Sequence, residues 1–197
     1  MSGLDIAIKR AFDFCCALAG LLVLWPVILV SIILAGRDTK ASGLFRQERI
    51  GKDGEIFNIY KIRTMRDIEG TTVTTTNDTR ITKLGNRLRR YKLDELPQLW
   101  NVLIGDMSLV GPRPDVQGFA DSLTDSQKSI LKLRPGITGP ATLKYKAEEH
   151  ILSTMENPEQ YNRDVIWPDK VAINLEYIES YSFMGDIKIL FRTVFGK

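Results

Sequence analysis

Residues 14–35 read FCCALAGLLVLWPVILVSIILA, 22 consecutive residues without a formal charge, and no other feature of the chain restricts its fold as much. A helix of that length spans the hydrocarbon layer of a bilayer, and a chain of 197 residues has too little remaining mass to enclose it as a core helix. A cleaved signal sequence fits poorly, because the run is too long and no small-residue cleavage site follows it. Pro26 stands near the middle and cannot donate to the helix ladder, which predicts a kink after Trp25. Lys9 and Arg10 precede the run and Arg37 and Lys40 follow it, so positive charge marks neither end as the inner one. Two courses remain open: a straight crossing, or a kinked re-entrant helix that enters and leaves by the same face.

The expected organisation is an N-terminal membrane helix over 1–36 and a second domain over 37–197. Residues 45–50 and 56–62 are strand-like, and Lys52-Asp53-Gly54 between them supplies hairpin turn chemistry. Residues 67–79 are Thr-rich without helical periodicity and read as a loop that covers a site. Thr82 opens a short helix with Leu84, Leu88 and Tyr91 on one face. Asp94 opens another, with an apolar stripe of Leu96, Leu99, Trp100 and Leu103 and a stop at Gly105. Residues 111–114 and 134–140 read as two turn-rich loops. A capping box at Thr124 and Gln127 starts a helix ending near Leu133. Pro168 begins a helix carrying Val171, Leu175 and Ile178. Beyond Gly185, Ile187, Leu190, Phe191 and Val194 repeat at helical spacing beside Lys188, Arg192 and Lys197, a basic amphipathic segment suited either to a membrane surface or to the domain core. The fold class is α+β, mostly helical with a small β-hairpin.

Composition removes several chemistries. The two cysteines, Cys15 and Cys16, are adjacent and lie within the apolar run, and His150 is the single histidine. A disulfide scaffold, a Cys- or His-rich metal site and a Ser-His-Asp triad are therefore not expected, and acid–base or nucleophilic work falls to carboxylates. Net charge is only +3, but Arg80, Lys83, Arg87, Arg89, Arg90 and Lys92 follow one another without an acid, and a second basic stretch covers 46–66. Those runs favour anion binding. Asp94 and Glu95 come next, at a predicted helix start. An acid there is what an N-cap and the helix dipole favour anyway. With Arg89, Arg90 and Lys92 before it and Arg113 in a stiff Pro-Arg-Pro loop after it, the pair also suits phosphoryl transfer: helix dipole and guanidinium groups are expected to lower the carboxylate pKa and keep it ionised as a nucleophile. Arginine and Mg2+ would offset diphosphate charge, with a second carboxylate as metal ligand.

The stretches KLDELPQLWNVL (92–103), GDMSLVGPRP (105–114), LRPGITG (133–139) and FNIYKIRTM (57–65) closely resemble the bacterial sugar transferases, the small monotopic phosphoglycosyl transferases, over nearly the whole chain. The resemblance implies that Asp94 attacks the sugar-bearing phosphate of a UDP-sugar, that UMP leaves, and that a polyprenol phosphate such as undecaprenyl phosphate then takes the phosphosugar. It implies Mg2+ at the dyad, held by Glu95 with Asp94, a phosphate contact for Arg89, and a nucleotide or phosphate site at Pro112, Arg113 and Pro114. Lys61, Arg63 and Arg134 match further positions of the family, and Asp106 either aids the metal or caps a turn. It further implies a re-entrant helix broken at Pro26, inner-leaflet lipid contacts, and a catalytic domain on the cytoplasmic face of the bacterial inner membrane, with no nucleic acid partner. Trp25 departs from the small Ser frequent before that proline. Residues 142–168, with Tyr145, Glu148, Glu149, Tyr161 and Trp167, are where sugar specificity is expected to vary. Competing readings are a membrane-tethered protein binding anionic lipid or RNA, and a nucleotide-sugar pyrophosphatase.

Overall fold

The computed structural model describes residues 3–66, 78–116, 118 and 123–196. The expected loop at 67–79 lies almost wholly outside them. Helix α1 (Gly3–Thr39) contains the apolar run and continues through Pro26, whose missing N–H removes one rung of the ladder without ending it. At about 1.5 Å per residue it is roughly 55 Å long, and it touches the rest of the protein near both ends. Ala17 packs with Ile59, Val102 and Met107, while Ala35 packs with Ile62 and Leu88. Small residues at these two places let the helix axis come close. Between and around them Leu22, Val23, Trp25 and Val30 are more than half exposed.

Strands β1 (Leu44–Ile50) and β2 (Ile56–Ile62) form the expected antiparallel hairpin, in register from Leu44 opposite Ile62 to Ile50 opposite Ile56. Its turn places Asp53 and Gly54 at positive φ, as the Asp-Gly pair predicts. Helix α2 (Lys83–Arg90) is capped by the Thr82 hydroxyl, which accepts from Gly85 N at 2.9 Å. After it come α3 (Gln98–Ile104), β3 (Ser108–Val110), β4 (Gly136–Thr138), α4 (Pro140–Lys144), α5 (Glu148–Ser153), α6 (Pro158–Tyr161), a π-helical turn Asn162–Ile166, α7 (Trp167–Glu179) and α8 (Phe183–Phe195).

One local expectation is corrected and two are sharpened. The second turn-rich loop, 134–140, contains β4, which pairs parallel with β3 just before the first loop, Ser108 opposite Gly136, while 111–114 stays irregular as expected. The cause of the pairing is glycine on glycine: a Cβ on Gly136 would lie 2.1 Å from Gly111 N, and one on Gly139 would lie 2.3 Å from Gly111 O. The helix expected to end near Leu133 is present over Gln127–Lys132 as a 3-10 helix, with the Gln127 side chain accepting from Thr124 N at 3.0 Å. The third concerns α3. Its buried face carries Gln98, Asn101 and Val102, while Trp100 and Ile104 are half exposed and Leu99 and Leu103 are only partly buried. The apolar stripe thus lies toward α1 and the outside, and a polar stripe faces in. On α7, Val171 is buried and Leu175 and Ile178 pack beside it, as expected. The amphipathic stripe of α8 emerges from the fold, leaving Phe191, Val194 and Phe195 more than 60% exposed.

Candidate active site

Helix α2 ends at Arg90, and Lys92 turns the chain in the left-handed region with φ 55. That conformation costs a residue bearing a Cβ about 1–2 kcal/mol, and strain of this kind collects at functional turns. Leu93–Glu95 then form one 3-10 turn, and Leu96 and Pro97 carry helical dihedrals into α3. Asp94 and Glu95 are carried inward by this turn and are 8% and 9% exposed.

The two carboxylates have opposite surroundings. Glu95 Oε1 accepts from Arg113 Nη2 at 2.6 Å and lies 3.8 Å from Lys61 Nζ. Burial opposes its charge, but Arg113 and then Lys61 outweigh burial and hold its pKa well below the ordinary carboxylate range. Asp94 Oδ1 is buried without a hydrogen-bond partner among the described residues. Burial first, then the charge of Glu95, raise the Asp94 pKa against Lys61, Arg89 and Lys92. This reverses the expectation that surrounding cations would lower it: Glu95 takes the close cations, and Asp94 keeps an oxygen without a hydrogen-bond donor among the described residues. Lys61 is drawn down to about 8 by burial and by the Arg113 charge, with Glu95 only partly offsetting them.

The loop after β3 delivers Arg113 through its two prolines. Pro112 O accepts from Gly136 N at 2.8 Å, and Pro114 O accepts from Arg49 Nη1 at 3.3 Å. The carbonyls on either side of Arg113 are thereby fixed to β4 and β1. Lys61 comes from the β2 face that also carries Ile59, since alternate residues of a strand share a face. Arg89 of α2 acts electrostatically on Asp94 and is ion-paired with Glu149 of α5.

Residues 4–196 match the family described as bacterial sugar transferase. The chain belongs to that family. It is 38% identical over 202 residues to a UDP-glucose:undecaprenyl-phosphate glucose-1-phosphate transferase of Escherichia coli, an alignment covering 99% of this chain and 41% of that protein. It is 36% identical to an exopolysaccharide production protein of Rhizobium leguminosarum, covering 97% of this chain and 95% of that one. It is 34% identical to an undecaprenyl-phosphate glucose phosphotransferase of Komagataeibacter xylinus, covering 98% and 36%. The chain thus spans about two fifths of the first and third of these relatives and nearly all of the second.

Within this bacterial sugar transferase, Asp94, Glu95, Lys61, Arg89 and Pro112–Pro114 converge on one site, and two other sequence candidates do not join them. Arg134 Nε donates to Gly105 O at 2.7 Å, beyond the far end of α3. Arg63 Nε donates to Ser42 O at 2.8 Å and its guanidinium lies 5.2 Å from the Phe45 ring centre, beside the α1–β1 link. Asp106 Oδ2 accepts from Asn101 Nδ2 at 3.3 Å, a structural contact. Sequence reasoning passed over Arg49, Gln98 and Asn101, and placed Glu149 only in the segment of expected sugar specificity. The spacing of Asp94, Gln98 and Asn101, at i, i+4 and i+7, is the signal for the polar face of α3.

Proposed function

We propose that this transferase moves a sugar 1-phosphate from a UDP-sugar to polyprenol phosphate, undecaprenyl phosphate by the names of its relatives, through a covalent phosphosugar on Asp94. The observation that carries the reading is the split between the two carboxylates. Asp94 offers a buried oxygen with no donor on it and a raised pKa, as a nucleophile toward phosphorus requires. Glu95, tied to Arg113 and Lys61, keeps two cations beside the place where diphosphate charge must be received. Asp94 Oδ1 forms a bond to the sugar-bearing phosphorus as the bond to UMP breaks and UMP departs with the electron pair. A lipid phosphate oxygen then attacks the same phosphorus and Asp94 leaves.

The donor chemistry fits Mg2+, which takes one or two carboxylates and completes its shell with water and substrate phosphates. Asp94 and Glu95 would hold it, and it would neutralise diphosphate charge. Among the described residues no cluster of three acidic, His or Cys ligands exists, in keeping with a site that substrate completes.

A re-entrant seat in the inner leaflet, with the catalytic domain on the cytoplasmic face, is supported by the way α1 is held. Arg10 and Ala17 near one end, and Ala35 near the other, touch the same body of the protein. From Ala17 to Ala35 a helix rises roughly 27 Å, close to the hydrocarbon thickness of about 30 Å. A perpendicular crossing would carry one contact set to the far side. The exposed apolar residues of α8, with Trp100 and Ile104 of α3, provide further lipid-facing surface.

The test is UMP release across a panel of UDP-sugars with undecaprenyl phosphate and Mg2+, with intact-mass detection of a phosphosugar adduct when the lipid is withheld. Asp94→Asn is expected to lose the adduct and at least about a thousandfold of turnover. Normal turnover by that variant would sink the mechanism.

A further inference from the structure

The inward polar stripe of α3 contains a buried amide donor without a partner among the described residues. Asn101 is fully buried and spends both ends of its amide on β2, with Nδ2 donating to Asn58 O at 2.7 Å and Oδ1 accepting from Tyr60 N at 3.1 Å. One turn closer to the dyad, Gln98 is 1% exposed, and its Nε2 has no hydrogen-bond partner among the described residues. Buried amide donors are almost always paired, so an unpaired one needs an explanation. Gln98 follows Asp94 by four residues across a segment whose N–H groups bond three residues back, Leu96 to Leu93 O and Leu99 to Leu96 O, so the two side chains stand about one turn apart at the same helix start. Asp94 Oδ1 is the other unpaired atom of this face. A free acceptor and a free donor therefore sit on adjacent turns, both shut away from water and not bonded to each other.

This inference rests on the reading of Asp94 as the nucleophile. We propose that Gln98 is a further catalytic residue, whose Nε2–H donates to a non-bridging oxygen of the phosphoryl group that Asp94 attacks. Charge on those oxygens must be held while the bond from Asp94 to phosphorus forms and the bond from phosphorus to UMP breaks, and preorganised donors in a dry site do this most effectively. Uncharged amide chemistry suits the position. A Lys or Arg at 98 would pair with Asp94 and blunt its attack, whereas an amide standing off from Asp94 leaves its lone pair available. Both half-reactions pass through the same phosphorus, so one donor serves the arrival and the departure of Asp94.

The experiment uses full-length protein in lipid nanodiscs carrying Gln98→Met, close in shape but without a donor, and Gln98→Glu, which replaces the donor by an acceptor. UMP release in a single turnover, transfer from the isolated adduct to undecaprenyl phosphate, KM for the UDP-sugar and thermal unfolding are measured, with Asp94→Asn alongside. Both Gln98 variants are expected to slow each half-reaction about a hundredfold, the usual scale for loss of one such donor. KM should change less than threefold. The melting temperature of Gln98→Met should equal or exceed that of the unaltered protein, because an unpaired buried donor is removed; a merely structural glutamine would lower it and spare the rate per folded molecule. If either folded variant keeps both half-reactions within threefold of normal, or loses only KM, the role of Gln98 is overturned. Normal turnover by Asp94→Asn would overturn the parent reading instead.

Discussion

The two ends of α3 obey different rules. At the C-terminal end the orphan carbonyls that every helix leaves are supplied with donors. Arg10 gives Nη1 to Val102 O at 2.5 Å and Nη2 to Leu103 O at 2.8 Å, Arg134 caps Gly105 O, and Gly105 closes the helix at φ 99 with its N–H on Asn101 O. At the N-terminal end two adjacent carboxylates are buried, a lysine is held below its ordinary pKa, and Asp94 Oδ1 and Gln98 Nε2 stand unpaired. Leaving such groups buried and unmet costs about 1–3 kcal/mol each. One end is arranged for stability, the other holds the unmet groups that the proposed chemistry would use, and the surplus at the first tolerates the deficit at the second.

That contrast breaks apart under mutation. Next to Asp94→Asn, the largest expected effect comes from Lys61→Met at the same end: turnover should fall about a hundredfold, on the scale of a lost preorganised cation, while the melting temperature holds or rises because a buried charge is removed. The pH dependence of the same residue sharpens the point. With a folded pKa of about 8 against an ordinary 10.5, Lys61 loses its proton in the folded protein before it does in the unfolded chain. Turnover should therefore decline as pH rises through about 8, whereas the contribution of this group to stability increases between 8 and 10.5, where the unfolded chain binds more protons. Lys61→Met should lose both trends, as pH–rate profiles and denaturant titrations would show; an unchanged alkaline limb would assign it to another group. At the opposite end, Arg10→Met should cost about 2 kcal/mol by removing charged donors from two carbonyls, seen in urea unfolding, with turnover per folded molecule retained. Gly105→Ala should be smallest, about 1 kcal/mol for a side chain forced to positive φ, again without a change in rate per folded molecule. A stability loss at Lys61 or a large rate loss at Arg10 would erase the distinction.

Much of the fold was legible wherever a local rule governs it. The Lys52-Asp53-Gly54 turn gives the hairpin, Thr82 gives the start of α2, and Gly105 gives the end of α3. The parallel pairing of β3 with β4 was not legible, because it depends on glycines 25 or more positions apart meeting face to face, which no window of sequence displays. The orientation of α3 was not legible for a different reason. Periodicity identifies an apolar stripe but not what it faces, and beside an apolar helix such as α1 that stripe need not be the inward one. Motif likeness picked out Asp94, Glu95, Lys61, Arg89 and Arg113, which the fold brings together, yet it could not distribute their charges. The split between a tied Glu95 and a bare Asp94 depends on which carboxylate Arg113 reaches, a matter of a few ångströms. Arg134, inside an equally prominent motif, turned out to brace the helix end.

The anchorage of α1 has a consequence for how the molecule comes into being. Arg10 finishes α3, the Asp13 carboxylate accepts from Leu109 N at 3.1 Å on the strand that leads to Arg113, and Ala17 and Ala35 close two of the hydrophobic clusters. The apolar helix is therefore a structural member of the enzyme and not a tether that an unrelated anchor could replace. A copy stripped of it would expose Val102, Met107 and Leu88 and loosen the strand behind the reactive arginine. The arrangement around Asp94 and Arg113 is in this way coupled to the placement of the apolar helix.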